Sequence, residues 1–376
     1  VREVTGLYPV EVERVARPRS IEEIRAILRA APGPVSIGGG RYSMGGQTAT
    51  EGATQLDLRE FDRVLSVDVE KRLLVVEAGA TWRKVQEHLD PLGLSVKIMQ
   101  SYANFTVGGA LSVNAHGRYV NQGPVARSVR ALRLVLANGD VLDVSPSRRP
   151  ELFYAALGGY GGVGVIVEAT LELEKNEPLE RTAELMPVAD YPAFFKSRIK
   201  GSPTAVFHNA DMFPPEFDTA AAITFSRTDK PVTVADRLQP PYRPRLRDRL
   251  LYLWVSERAY AKRLRAAALA PLSLKRRPVV WRNYEASYDV LTLEPWSREK
   301  STYVLQEYFI PVGRFGEFAP QMREVFKRHG VNVLNVSIRH AEKDPGTLLA
   351  WAREECFAFV VYYKQSIHTG NSTFTV

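Results

Sequence analysis

Residues 35–47 read Val35-Ser36-Ile37-Gly38-Gly39-Gly40-Arg41-Tyr42-Ser43-Met44-Gly45-Gly46-Gln47, a short apolar run followed by a glycine-rich loop. Glycine permits positive φ and removes the Cβ that would hold a ligand away from the backbone. Successive N–H groups in such a loop can converge on an anion such as a pyrophosphate. Gly38, Gly39, Gly40, Arg41, Tyr42 and Ser43 are the candidates there. A second stretch runs from Ser101 to Gly117. Its Gly108 and Gly109 would admit a flat ring or a phosphate; Thr106, Ser112 and Asn114 supply donors and acceptors, and an Ala-His-Gly triplet carries His116. Gly123-Pro124 marks a turn. Then Leu157–Ile166 forms a small-residue loop entering a strand, with Gly161, Gly164, Val165 and Ile166 as candidate cofactor contacts. One glycine loop is weak evidence; these in order are a signal.

A different chemistry lies downstream. In Gln306-Glu307-Tyr308-Phe309, strand alternation puts Gln306 and Tyr308 on one face and Glu307 and Phe309 on the other. One polar member should face a pocket, and the alternation does not choose between Gln306 and Glu307. Asn335, Ser337 and Arg339 share a face of another strand, a polar wall suited to a hydroxyl-rich substrate. The plainer alternatives are an ion-pairing Arg339, a core cysteine at Cys356 and a structural histidine at His116.

These residues need elements to hold them. Ser20-Ile21-Glu22-Glu23 is a capping box opening a helix through Ile24, Ile27 and Leu28. Strands are predicted at Val35–Ile37 and Gln55–Leu58, hairpins at 64–78 and 129–144, the latter turning at Asn138-Gly139. Trp82, Val85 and Leu89 mark one face of a helix. Phe153–Leu157 reads as a helix and Val163–Leu173 as a strand. Past Glu177 the glycine loops thin out. Strands at Tyr303–Ile310, Val333–Arg339 and Phe357–Tyr363, with a helix at Phe315–His329, give a second lobe. The reading is thus α+β, with a first domain over 1–175, a lobe over 176–360 and a C-terminal segment over 361–376.

The chain has 376 residues and a net charge of +8. The segment 237–282 holds roughly +10 of it, leaving the rest near neutral. Leu250-Leu251-Tyr252-Leu253-Trp254 interrupts that basic run. A solvated insertion and a contact with an anionic lipid or membrane surface both fit. Nucleic acid does not, because no binding motif accompanies the charge. The single cysteine, Cys356, cannot close an internal disulfide and points to a reducing, cytoplasmic setting, with membrane association left open. No signal peptide opens the chain and no apolar run has membrane-spanning length. No metal site is expected.

The order of motifs resembles the FAD-binding domain of the vanillyl-alcohol oxidase (p-cresol methylhydroxylase) superfamily. The match rests on the strand, glycine loop and Ser43, then Thr106-Val107-Gly108-Gly109-Ala110 with Ala115-His116-Gly117, then the Gly-rich run into Val165-Ile166. It is strong over about 8–175 and weaker over 300–365. Within the superfamily the chain is most similar to aldonolactone and alditol oxidases and the decaprenylphosphoryl-ribose oxidase. The resemblance implies a two-subdomain FAD site and a separate α+β substrate lobe, acting on an alcohol carbon by hydride transfer to the flavin. Many members carry a flavin-linked histidine where this chain has Tyr42, so non-covalent FAD is implied. His116 is implied as a hydrogen-bonding neighbour of the flavin, and Cys356 as lying beside it. With Gln306, Glu307 and Arg339 these make the candidate catalytic set. The first loop reads as lacking the acidic residue about twenty positions on, in a parallel strand, that a Rossmann site needs. A D-2-hydroxy-acid dehydrogenase, with Arg339 on a carboxylate, and a non-catalytic flavin-binding partner are the competing readings. The ending after Ser366 does not align with the family's late site-closing segment, and Lys364 is a poor substitute for its lysine.

Overall fold

The computed structural model describes residues 1–243, 245–246, 250, 254, 256, 258–293 and 297–367. Three sheets organise it. The first is small and parallel: β1 (Arg14–Ala16) and β2 (Val35–Gly38) flank β3 (Thr54–Asp57). Helix α1 (Ile21–Ala30) precedes β2, and Ser20 caps it by accepting from the Glu23 amide at 3.1 Å. Glu23 reaches back to the Arg19 amide at 2.8 Å, one residue earlier than the standard box. Because β3 is parallel to β2, it does end on an acidic residue twenty positions after Ile37, contrary to the sequence reading. That residue, Asp57, is committed to Arg59 at 2.5 Å and Arg41 at 2.9 Å, so it braces the glycine loop.

The second sheet is antiparallel, in the order β4 (Val64–Asp68), β5 (Leu73–Glu77), β9 (Val165–Lys175), β7 (Val129–Val135), β8 (Val141–Val144), with β6 (Leu94–Val96) added on β9. Alternate residues of β9, from Val165 to Leu173, are buried and join one continuous core with Trp82, Val85 and Leu89 of α2 (Trp82–Leu89). Helix α3 (Val107–Ser112) follows, capped by Thr106. Helix α4 (Pro150–Ala156) leads into the last glycine loop.

The third sheet has seven antiparallel strands, in the order β13 (Val279–Trp281), β10 (Pro178–Pro187), β12 (Thr219–Arg227), β11 (Ala205–Met212), β15 (Asn332–Ala341), β16 (Cys356–Ser366), β14 (Ser301–Pro311). β9 ends at Lys175 and β10 starts the new sheet at Pro178. One face packs Phe357, Phe359, Val336 and Ile338 against the helix Phe315–Arg328 and Tyr191. The other face carries Glu307 and Arg339. The strands β10–β13 were not anticipated from the sequence; in β12 the buried positions are small, as in Ala220-Ala221-Ala222, and announce no period. Segment 282–290 leaves this lobe and docks on the first domain. Arg118 pairs with Glu285 at 2.7 Å, Gln86 donates to the Ala286 carbonyl, and Asn104 bonds Asp289.

Candidate functional site

The three glycine stretches meet in one cleft, with about 630 Å³ of empty space including its mouth. Gly38, Gly39 and Ser43 enter from the first loop, Thr106, Gly108, Gly109 and Ser112 from α3 and its cap, and Gly161, Gly164 and Ile166 from the last. A Cβ on Gly39 would stand 2.2 Å from Thr106 Oγ1, and one on Gly108 2.7 Å from the Ala78 Cβ. The loop and helix therefore approach each other as only glycine allows. Gly161 needs its glycine for a second reason, a φ of +80°. Gly109 does not adopt positive φ. The sequence reading missed Gln47, Thr48, Leu58, Ala78, Val113 and Tyr160 as lining residues; Tyr160 sits at φ +52° between glycines, and only its place in that loop hinted at a role.

Several candidates lie elsewhere. Asn114 is fully buried and spent on structure: it donates to Asp344 at 2.6 Å and accepts from the Ala126 amide at 3.1 Å. Arg41, at φ +62°, turns to Asp57. Gly40 packs on Tyr42, and a Cβ on Gly117 would meet the Met99 carbonyl at 2.1 Å, a structural reason for that glycine. Val165 points into the core. Ser101 is outside the cleft lining, its Oγ buried without a partner.

A second cavity, about 590 Å³, lies between the first loop and the large sheet. Tyr42, Met44, Tyr102 and Phe105 face Leu305 and Tyr362 across it. The loop thus sends Gly39 and Ser43 to one cavity and Tyr42 and Met44 to the other. Leu305 shares its sheet face with Glu307, two residues on.

There His116 Nε2 meets Glu307 Oε2 at 2.9 Å. His116 is buried, with Trp351 and Phe309 against its ring at 5.2 and 5.8 Å. Burial would raise the Glu307 pKa, but the charge and hydrogen bond of His116 and the charge of Arg339 outweigh it, and the carboxyl is held below its ordinary value. An ionised Glu307 only accepts, so Nε2 carries a proton and donates. Glu307 Oε1 has no hydrogen-bond partner among the described residues. Gln306 is exposed on the opposite face, so of the two it is Glu307 that faces inward.

Arg339 lies on the same face. Its register partner Ala358 also pairs with Phe309, neighbour-but-one of Glu307. Its Nε is buried without a partner, and among the described residues the guanidinium makes no hydrogen bond or ion pair. Burial pulls its pKa down, with the Arg118 charge adding to this, and the charge of Glu307 leads the opposing effects, followed by Tyr102 and Asp211. Asn335 donates to Asp211 at 3.4 Å and leaves Oδ1 unpartnered. Cys356 sits behind Phe309 and Trp351 in a small apolar cluster, and burial pushes its thiol up to about 12, so it is no thiolate. His340, Glu342 and Glu355 bring ligand-type atoms within 4.8 Å of one another, but Lys200 Nζ lies 2.5 Å from Glu355 and makes this an ion-pair network.

Residues 12–145 match the family described as FAD binding domain. Much of the cleft's lining, from Ile37 to Val113, lies within this matched stretch, and its glycine contacts fit a group that must lie against backbone. A putative D-arabinono-1,4-lactone oxidase of Neurospora crassa is 33% identical over 170 residues, 44% of this chain and 30% of that protein. The L-gulonolactone oxidase of Bos taurus is 30% identical over 222 residues, 58% of this chain and 49% of that protein. The matches therefore span a third to a half of these relatives. The crystal structure of cholesterol oxidase from B. sterolicum superposes with a TM-score of 0.71 at 13% identity, over 94% of this chain and 77% of that one. The fold is thus that of an FAD-binding α+β protein, as the sequence motifs predict.

Proposed function

We propose that the chain is an FAD-dependent oxidoreductase that oxidises an alcohol carbon of a sugar, polyol or aldonolactone-like substrate, holding FAD non-covalently. The observation that carries this is the sheet face over the first domain, where an ionised Glu307 and an unpartnered Arg339 stand together in a closed, half-buried setting. The lactone-oxidising names of the relatives support the substrate class. Tyr42, at the loop position where related proteins carry a linking histidine, supports non-covalent binding. On this reading 1–175 form the cofactor domain, 176–360 the substrate lobe and 361–376 a closing segment; residues 368–376 lie outside the described ones.

Bound FAD supplies a hydride acceptor at N5. The chain's own residues do the rest. Glu307 Oε1 accepts the hydroxyl proton, while His116 Nε2–H steadies the other oxygen and fixes the carboxylate plane. Arg339 donates to a substrate oxygen and so sets which carbon is presented. Asn335 Oδ1 and Ser337 orient further hydroxyls. Phe309 and Trp351, stacked at 4.3 Å, close His116 off from water. Cys356 backs this stack and takes no proton. The chain is read as cytoplasmic, with its basic segment touching an anionic membrane surface. The exposed Leu250, Leu264 and Leu272, in the stretch that also carries the exposed Arg258 and Arg263, support that contact; Leu251–Leu253 lie outside the described residues. No helix among the described residues is long and apolar enough to cross a membrane.

The test is anaerobic. FAD-loaded protein is mixed with aldonolactones, alditols and D-lactate, and the flavin absorbance is followed. Bleaching by a lactone or polyol is the expected result. Bleaching by D-lactate alone, or by none, would overturn the substrate assignment, and flavin that stays with the denatured polypeptide would overturn non-covalent binding.

A further inference from the structure

A larger cavity opens on the substrate lobe, about 1360 Å³ including its solvent-facing mouth. Its floor is the large sheet at Ala221, Ile223 and Leu334, and its wall is Leu269, Ala270 and Leu274 of the helical segment 259–274. Apolar surface dominates its lining, as it does in small-molecule pockets, with a few polar groups placed among it. Three cations stand in it. Arg181 donates to the Ser273 carbonyl at 3.2 Å and Arg265 to the Leu334 carbonyl at 3.3 Å. Neither has a carboxylate within ion-pair distance among the described residues. Lys262 donates to the Asn332 Oδ1 and the Val333 carbonyl. Among the described residues the lining holds one carboxylate, Asp211, and it accepts from Asn209 and Asn335 rather than from any of the three.

Guanidiniums beside apolar surface, each with one carbonyl for a partner, keep donors in hand for an anion. The apolar floor calls for a chain, and the charge calls for an anionic end. We infer that this cavity binds an anionic amphiphile, its aliphatic chain along Ala221, Ile223 and Leu274 and its carboxylate or phosphate at Arg265 and Arg181. Tyr260, Leu264 and Leu272 stand exposed on the outer side of the same segment, an apolar approach for such a ligand. Asp211 ties the cavity to the site: it lines the space, its strand pairs it with Ser337, and its charge acts on Arg339. The chain can therefore belong to the oxidised molecule or to a separate ligand.

The experiment uses the FAD-loaded protein and a dansyl-labelled C11 carboxylic acid as probe, read by its fluorescence. Saturable binding is expected, displaced by dodecyl phosphate and at least tenfold less well by dodecanol. Arg265→Glu should weaken it at least tenfold while Arg265→Lys largely keeps it, and Ala221→Trp, which fills the floor, should abolish it. Absence of saturable binding, equal displacement by dodecanol, or binding unchanged in both Arg265→Glu and Ala221→Trp would overturn the inference. Dodecyl phosphate that competes with the donor in flavin bleaching assigns the chain to the oxidised molecule; binding without effect on bleaching assigns it to a separate ligand. The probe needs no turnover, so its failure leaves the oxidoreductase reading untouched, and failure of bleaching leaves the cavity result standing.

Discussion

Arg339→Met separates a residue kept for function from one kept for stability. In the free protein the Arg339 Nε is buried and unpartnered. A desolvated donor without an acceptor costs about 1–3 kcal/mol. Methionine keeps much of the apolar stem and removes the charge, so the variant should be as stable as the parent or up to about 1 kcal/mol more stable. A donor-bound Arg339 would instead make a charge-assisted hydrogen bond, whose loss removes about 1.5–3 kcal/mol. That corresponds to a flavin reduction rate, at limiting donor, about 10- to 150-fold lower. The two readouts run in opposite directions, which a structural arginine would not produce. Denaturant unfolding of the FAD-loaded proteins gives the first, and anaerobic stopped-flow with the best donor gives the second. A variant destabilised by more than about 1 kcal/mol with an unchanged reduction rate would refute the assignment and make Arg339 a packing residue.

Gly109→Val should give a folded protein that no longer retains FAD, because its Cβ stands 2.8 Å from the capping Thr106 Oγ1 and its methyls enter the cleft; flavin content after gel filtration checks it. Asp57→Asn releases Arg59 and Arg41 from a buried carboxylate. Its arginine partners are partly solvated, so the expected loss is about 2 kcal/mol in chemical denaturation, with weaker FAD retention since Arg41 belongs to the loop. The Glu307 carboxyl is lowered in the folded protein, so its contribution is fully present above the ordinary value of 4.5 and is lost as pH falls through the folded value. Stability measured from pH 7 downward should decline below that point, and Glu307→Gln should flatten the decline.

The cofactor cleft was legible because its chemistry is written in glycines at fixed places, and glycine has few other reasons to cluster. Strand alternation placed Asn335 and Arg339 on one face correctly. It could not choose between Gln306 and Glu307, because that depends on which face of β14 meets His116, a residue 191 positions away in sequence. Asn114 misled for a similar reason: an amide beside glycines looks like a cofactor contact, and only the fold reveals Asp344 as its partner. The strand at 54–57 was found but not its parallel pairing, so Asp57 was passed over. The strands of residues 178–227 stayed hidden because alanine buries well in a sheet without announcing a period.

The docking of 282–290 and of Trp351, whose indole donates to the Asn114 carbonyl at 2.9 Å, has a consequence for biosynthesis. Arg118 and Asn114 find Glu285 and Asp344 167 and 230 positions later, and Asp90 is completed by Arg237 and Asn283, 147 and 193 positions on. A nascent chain that has delivered its first 175 residues therefore holds the glycine motifs but not the groups that satisfy their buried neighbours. Such distant closures are slow, and they leave apolar surface open while translation continues. The N-terminal part made alone should be a chaperone client rather than a small flavoprotein, and the cofactor's first stable home should arise late, after the β15–β16 connection has emerged.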